Sequence, residues 1–103
     1  MKIELQVSNI PKDFIDFVLE VSNKEGLNDW KLIIWNIRND AECIPDMKLI
    51  YLPKDNIKKM KVLFLHEVAH AIFKGSKEDS YWHRDEWKKV FNGLLNHYLK
   101  EAL

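Results

Sequence analysis

The sequence predicts a single α+β domain in which a small three-stranded sheet, mostly antiparallel or mixed, packs on three helices. Segments with strand-like alternation are followed by segments with helical spacing along the chain. A length of 103 residues, without a repeat or a linker, matches one domain. Because strands and helices alternate, an α/β class with one small sheet remains the alternative.

Three segments are predicted strands. Residues 2–7 (KIELQV) alternate polar and apolar side chains, as a half-buried strand does. Residues 31–37 (KLIIWNI) and 47–52 (MKLIYL) are rich in β-branched and aromatic side chains, which favour strands. The connection RNDAECIPD, residues 38–46, contains Asn, Asp and Pro and is interpreted as a turn region.

Two helices are predicted from apolar spacing and end signals. The first begins after Pro11, a residue that suits the first helical turn, and is expected to end near Gly26. The second is capped by Asp55 or Asn56 and is expected to extend to Gly75.

Composition excludes some classes of function. The 16 basic and 16 acidic residues balance, whereas nonspecific nucleic-acid binding requires an excess of positive charge. No run approaches the roughly 18 apolar residues that span a bilayer, and the N-terminus does not resemble a signal peptide. With Cys43 as the single cysteine, no internal disulfide can form. We therefore expect a cytoplasmic protein without nucleic-acid or membrane partners.

The second predicted helix carries His66, Glu67 and His70 in the pattern H-E-x-x-H. Residues four apart lie about 40° apart around a helix and about 6 Å apart along it. Both imidazoles can therefore reach one ion, with Glu67 beside the position of a metal-bound water. The sequence predicts a zinc site with Glu67 as general base. The alternative is an ordinary helix with two surface histidines.

A catalytic zinc ion usually has three protein ligands, so a third must come from outside the H-E-x-x-H pattern. His83 follows a polar loop that is long enough to turn back towards His70. His97 lies about 21 Å beyond His83 along a straight helix, so it cannot join the same site within one molecule unless the helix breaks. The acidic alternatives are Glu78, Asp79 and Glu86. We favour His83 as the ligand, with Glu86 as its hydrogen-bonding partner or substitute.

The sequence HEVAH, followed by twelve residues and then HRDEWKKVF, resembles the SprT-like metallopeptidases and the minigluzincins, which are minimal soluble zinc peptidases. The resemblance covers residues 40 to about 95. It implies a zincin-like catalytic domain in which His66, His70 and His83 bind zinc and Glu67 is the general base. Arg84 stands where the SprT-like pattern has Gly.

The resemblance also implies where a substrate binds. In these families an extended peptide pairs with an edge strand, and the matching stretch consists of Asp40, Ala41, Glu42, Cys43 and Ile44. Strand addition uses backbone groups, which explains loose specificity. Cys43 is interpreted as a small buried hydrophobe, with a redox-sensitive group or a ligand of a latent state as the alternatives.

These observations predict a zinc-dependent endopeptidase that hydrolyses peptide bonds with a zinc-activated water. Tyr81, Arg84 and Tyr98 are the candidates for stabilising the oxyanion. The alternative function is a zinc-stabilised binding or regulatory module without turnover.

The last predicted helix runs from near Ser80 to Leu103 and carries a broad apolar stripe. A straight helix of this length would measure about 36 Å, whereas a domain of this size is only about 33 Å across. We therefore expect either that part of the stripe overhangs the domain or that the chain bends, with Asn92–Gly93 as the place of the bend. Residues 93–103 would then cover the cleft of their own chain, as the resemblance to latent minigluzincins implies, or form a homodimer. A plain core helix is the alternative.

Overall fold

The computed structural model describes residues 1–100, in which four strands and four α-helices follow one another. In chain order they are β1 (Lys2–Leu5), α1 (Lys12–Lys24), β2 (Lys31–Trp35), β3 (Glu42–Ile44), β4 (Leu49–Pro53), α2 (Ile57–Ile72), α3 (Lys77–Tyr81) and α4 (Asp85–Tyr98). A short 3₁₀ helix, Pro45–Met47, joins β3 to β4. None of these helices is both long and apolar enough to cross a membrane.

The sheet is mixed and has the strand order β1-β2-β4-β3. The first three strands in that order are parallel, with Ile34 of β2 opposite Leu52 of β4. β3 runs antiparallel to β4 at the edge, with Cys43 opposite Ile50. The α+β class and the mixed sheet are confirmed, but the prediction of three strands and three helices is wrong by one of each.

The missed strand is β3, which we had interpreted as part of a turn region. It has only three residues, ECI, and Pro45 follows it directly. A run this short shows too little alternation to be distinguished from a turn. Pairing with β4 makes it a strand, so tertiary contacts decide its structure.

One face of the sheet carries the core. The alternate residues of the central strands point to this face and are fully buried: Leu32, Ile34, Ile50 and Leu52. They form one cluster with apolar residues of α1, α2 and α4, so these helices lie on the same side. Trp35 and Tyr51 occupy the opposite face, where their rings stack at 4.1 Å.

Both ends of α1 and the start of α2 lie where the sequence signals predict them. α1 begins after Pro11 and ends before Gly26, whose φ of 75° suits a residue without a side chain. Asn56, and not Asp55, caps α2, because its side chain accepts the backbone N–H of Lys59 at 2.9 Å.

The predicted end of α2 at Gly75 is wrong, since the helix stops at Ile72 and Phe73 is extended. A Cβ on Gly75 would lie 2.1 Å from the ring of Phe73. Gly75 therefore packs closely against that ring, and a larger residue here would require the ring to move. It does not mark the helix end.

The predicted single helix from Ser80 to Leu103 is also wrong, because the chain turns between α3 and α4. The backbone N–H of His83 donates to Ser80 and that of Arg84 donates to Asp79, both at 3.1 Å. These two bonds form a Schellman turn, in which His83 takes the left-handed position with φ of 53°. The bend therefore lies at residues 82–84.

α4 continues through Asn92–Gly93 without the predicted bend. It is 14 residues long, which fits the width of the domain. Its apolar side packs into the core of its own chain, with Trp87 and Leu94 buried. The core-helix interpretation therefore describes α4 up to Tyr98, and residues 101–103 lie outside the described part.

Candidate metal centre

α2 places His66 and His70 side by side. Their ring centroids are 5.0 Å apart, as expected for residues separated by one helical turn. The opposite side of the helix is held in the core by fully buried apolar residues: Phe64, Leu65, Val68 and Ala69. Because this side cannot rotate away from the core, the two imidazoles are fixed at the surface of the cleft.

His83 completes the cluster. The turn between α3 and α4 directs its side chain back to α2, where its Nε2 lies 3.0 Å from Nε2 of His70. One ligand atom from each of His66, His70 and His83 lies within 4.8 Å of the others. In residues 1–100 these three side chains form the group that could hold a metal ion.

The donor set fits a zinc ion. Zn–N bonds of 2.0–2.1 Å in a tetrahedral arrangement place two ligand nitrogens about 3.3–3.4 Å apart, and the two Nε2 atoms of His70 and His83 are close to that spacing. Three imidazoles with one side open to a cleft also match the ligand number of catalytic zinc sites.

The protonation of the cluster favours metal binding. Burial, with the neighbouring His66 and His83, lowers the pKa of His70 to about 4. Burial also lowers the pKa of His83 below its ordinary value. Both rings are therefore neutral near pH 7, which is the form that binds metals.

Glu67 is buried beside the cluster, with only 4% of its surface exposed. Its Oε2 lies 2.7 Å from Nδ1 of His66 and can accept a hydrogen bond from Nδ1–H. Such a bond leaves Nε2 of His66 as the atom available for a metal. Glu67 also lines the cleft, so a carboxylate stands next to the three imidazoles, as the sequence predicts.

Two further residues support the histidines, and neither was identified from the sequence. The hydroxyl of Ser80 lies 2.6 Å from Nδ1 of His70. The indole of Trp87 lies beneath the cluster, with ring centroids at 4.3 Å from His83, 4.7 Å from His70 and 4.9 Å from His66. The spacing of Trp87 from His83 was a weak sequence signal that their rings lie close together. Ser80 gave no such signal, because it reaches the site only through the turn after α3.

The cluster opens into a cleft of about 710 Å³. On one side lies the edge strand with its flanking residues, including Ala41, Glu42, Cys43 and Ile44. The cleft is also lined by Phe73 and Gly75 in the connection from α2 to α3, and by Tyr81 at the end of α3. Four of the five predicted substrate-binding residues therefore face the cleft.

Asp40 is the exception among these five. Its side chain points to solvent and pairs with Arg38 at 3.5 Å. It lies before the start of β3 and does not line the cleft, so its predicted role in substrate binding is not supported by its position.

The acidic alternatives for the third ligand lie away from the cluster. Glu86 is exposed and pairs with Lys89 at 3.2 Å, so it neither replaces nor supports His83. Asp79 pairs with Arg84 at 3.3 Å and thereby braces the turn. Glu78 belongs to the first turn of α3 and is not part of the cluster.

The structure places the three oxyanion candidates in different parts of the molecule. Tyr81 lines the cleft. Arg84 is held by Asp79, and Tyr98 lies at the far end of α4, where its hydroxyl donates to Glu25 at 2.5 Å. Tyr98 lines a second pocket together with His97, which is not among the three clustered histidines.

Cys43 is half-buried and packs against the core. Burial, with the nearby carboxylates of Glu67 and Glu42, raises the pKa of its thiol to about 12. The thiol therefore remains protonated near pH 7 and behaves as a small hydrophobe, not as a reactive nucleophile.

Comparisons with protein-family models, with curated proteins and with solved structures find no match for this chain.

Proposed function

We propose that this protein is a zinc-dependent endopeptidase, of the kind that the resemblance to minigluzincins and SprT-like metallopeptidases implies. The observation that carries the proposal is the convergence of three elements on one cleft. Three imidazoles form a metal-binding cluster, a buried carboxylate stands beside it, and an edge strand runs along the cleft wall. A site that only stabilises the fold requires neither an open face nor a carboxylate next to the ligands.

In this proposal His66, His70 and His83 hold the zinc ion. When bound, zinc lowers the pKa of a water molecule and polarises the scissile carbonyl. Glu67 accepts the proton of the attacking water and passes it to the leaving amine. Burial next to His66 fixes the orientation of this carboxylate.

The substrate lies as an added strand along β3. This strand ends the sheet, so the backbone groups on its outer edge are available to an extended peptide. Tyr81 is the phenol in the cleft and is the donor that we propose for the oxyanion.

Glu67→Gln is the decisive variant, because it keeps the shape of the side chain and removes its ability to take up a proton. We expect one zinc ion per chain in both proteins, and about 10²–10⁴-fold slower cleavage of an unfolded protein substrate by the variant. Glu86→Gln is the matched control, since Glu86 is exposed on α4, and it should cleave at the wild-type rate.

Unchanged cleavage by Glu67→Gln would disprove the role of this carboxylate. Bound zinc without cleavage by the wild type would instead favour a zinc-stabilised binding or regulatory module.

A further inference from the structure

Ser80 contacts two of the three histidines through two different groups. Its hydroxyl lies 2.6 Å from Nδ1 of His70, ten residues earlier in the chain. Its backbone carbonyl accepts the N–H of His83 at 3.1 Å. Its own N–H donates to the carbonyl of Ser76 at 3.1 Å, which anchors it in α3. One residue therefore connects a ligand on α2 to a ligand in the turn after α3.

The side-chain contact bears on the proton of His70. A neutral imidazole carries one proton, on either Nδ1 or Nε2. If Ser80 accepts a hydrogen bond from Nδ1–H, then Nε2 carries a lone pair. This is the nitrogen that faces Nε2 of His83 at 3.0 Å, in the centre of the cluster.

The backbone contact bears on the position of His83. His83 occupies a left-handed conformation that residues with a side chain adopt at a cost. The bond to the Ser80 carbonyl is one of the two that close this turn. Displacing Ser80 would therefore disturb the orientation of His70 and of His83 together.

We propose that Ser80 is a positioning residue of the metal centre, which holds His70 in the tautomer with the proton on Nδ1 and places His83 opposite it. The proposal rests on the metal site of the proposed function but not on peptidase activity. Partners of this kind typically change metal affinity by 10–100-fold when they are removed.

Zinc affinity, measured by competition with a chelator, is the first test. Ser80→Val and Ser80→Thr are nearly equal in shape, and only threonine retains the hydroxyl. We expect about 10–100-fold weaker zinc binding by Ser80→Val than by Ser80→Thr. Ser76→Ala is the control for damage to α3, because Ser76 caps this helix by accepting the N–H of Asp79 at 3.0 Å. It should weaken zinc binding less than Ser80→Val does.

The tautomer of His70 is the second test and is measured without a metal ion. In metal-free wild-type protein, ¹⁵N NMR of the imidazoles should show the proton of His70 on Nδ1. In Ser80→Val the Nε2–H tautomer should become populated. This signal reports the hydrogen bond itself, whereas a purely structural role of Ser80 would leave the tautomer unchanged.

Equal zinc affinities of Ser80→Val and Ser80→Thr would overturn the proposal, and so would a wild-type His70 protonated on Nε2. Neither result depends on cleavage of a substrate. A wild-type protein that binds zinc without cleaving peptides would count against the peptidase and leave the role of Ser80 intact.

Discussion

His83 combines a functional side chain with an unfavourable backbone conformation. At the end of α3 it takes the left-handed position that glycine usually occupies in a Schellman turn. A side chain there costs about 1–2 kcal/mol. The cost is consistent with a residue that is retained for its imidazole, and not for its preference for the turn.

Two substitutions at His83 separate the role of its imidazole from the cost of its backbone conformation. We expect both His83→Gly and His83→Ala to lose tight zinc binding, because one of three ligands is missing. In the metal-free state His83→Gly should be more stable than His83→Ala by about 0.5–1 kcal/mol, since glycine removes the strain but gains freedom when unfolded. Urea unfolding of both variants with a chelator measures the difference. His83→Ala as stable as His83→Gly, or more stable, would contradict a strain of this size in the turn.

His70 gives the metal-free protein a pH dependence with a defined sign. Its pKa is about 4 in the folded protein and 6.5 in the unfolded chain. Below pH 6.5 the unfolded chain takes up a proton that the folded protein does not. The contribution of His70 to stability therefore falls between pH 6.5 and about 4, and it is constant above that range. Unfolding of metal-free wild type, His70→Gln and His97→Gln across this range tests it. The slope of unfolding free energy against pH should decrease in His70→Gln and persist in His97→Gln. The reverse result would contradict the assignment of this pH dependence to His70.

At the scale of elements, the local parts of the site could be predicted and the long-range parts could not. The positions of His66 and His70 follow from the spacing on one helix, and the cap at Asn56 follows from its side chain. The turn at His83 carries no glycine to mark it. β3 is too short to show a pattern, and the contact of Ser80 with His70 exists only after α3 has folded back onto α2.

The far end of α4 is fastened to α1. The hydroxyl of Tyr98 donates to Glu25 at 2.5 Å, and its ring packs edge-on against Phe17. We expect Tyr98→Phe to lower the free energy of unfolding by about 1 kcal/mol through loss of this hydrogen bond. Tyr81→Phe is the matched control, because Tyr81 is 73% exposed, and its stability should not change. Equal effects in chemical denaturation would show that the bond to Glu25 contributes nothing.

The position of α4 also bears on the expected latency. Within residues 1–100, no residue beyond His83 lines the cleft, and the apolar stripe of α4 packs in the core of its own chain. Deleting the residues after Gly93 would remove the buried Leu94 together with Tyr98. We therefore expect this truncation to destabilise the fold, which must be measured before any change of activity or of dimerisation is interpreted.

At the scale of the whole molecule, a zinc ion held by His66, His70 and His83 would link α2 to the turn before α4, and so would join two segments of the core. A ligand that binds the folded state alone stabilises it by about 2.7 kcal/mol at a concentration 100 times its Kd. We expect zinc to raise the unfolding temperature and a chelator to reverse the increase. The shift should persist in His97→Ala and disappear in His83→Ala. A shift that survives in His83→Ala would place the stabilising ion elsewhere.

The turn between α3 and α4 has a consequence for biosynthesis. Translation produces His66, Glu67 and His70 well before Ser80, His83 and Trp87, on which the cluster also depends. A nascent chain that ends after α2 thus carries the HEVAH sequence without a third ligand, without the partner of His70 and without the indole beneath the rings. The three-histidine centre can assemble only after nearly all of the core has been synthesised. The order of residues along the chain therefore delays any hydrolytic activity until the domain that contains it can fold.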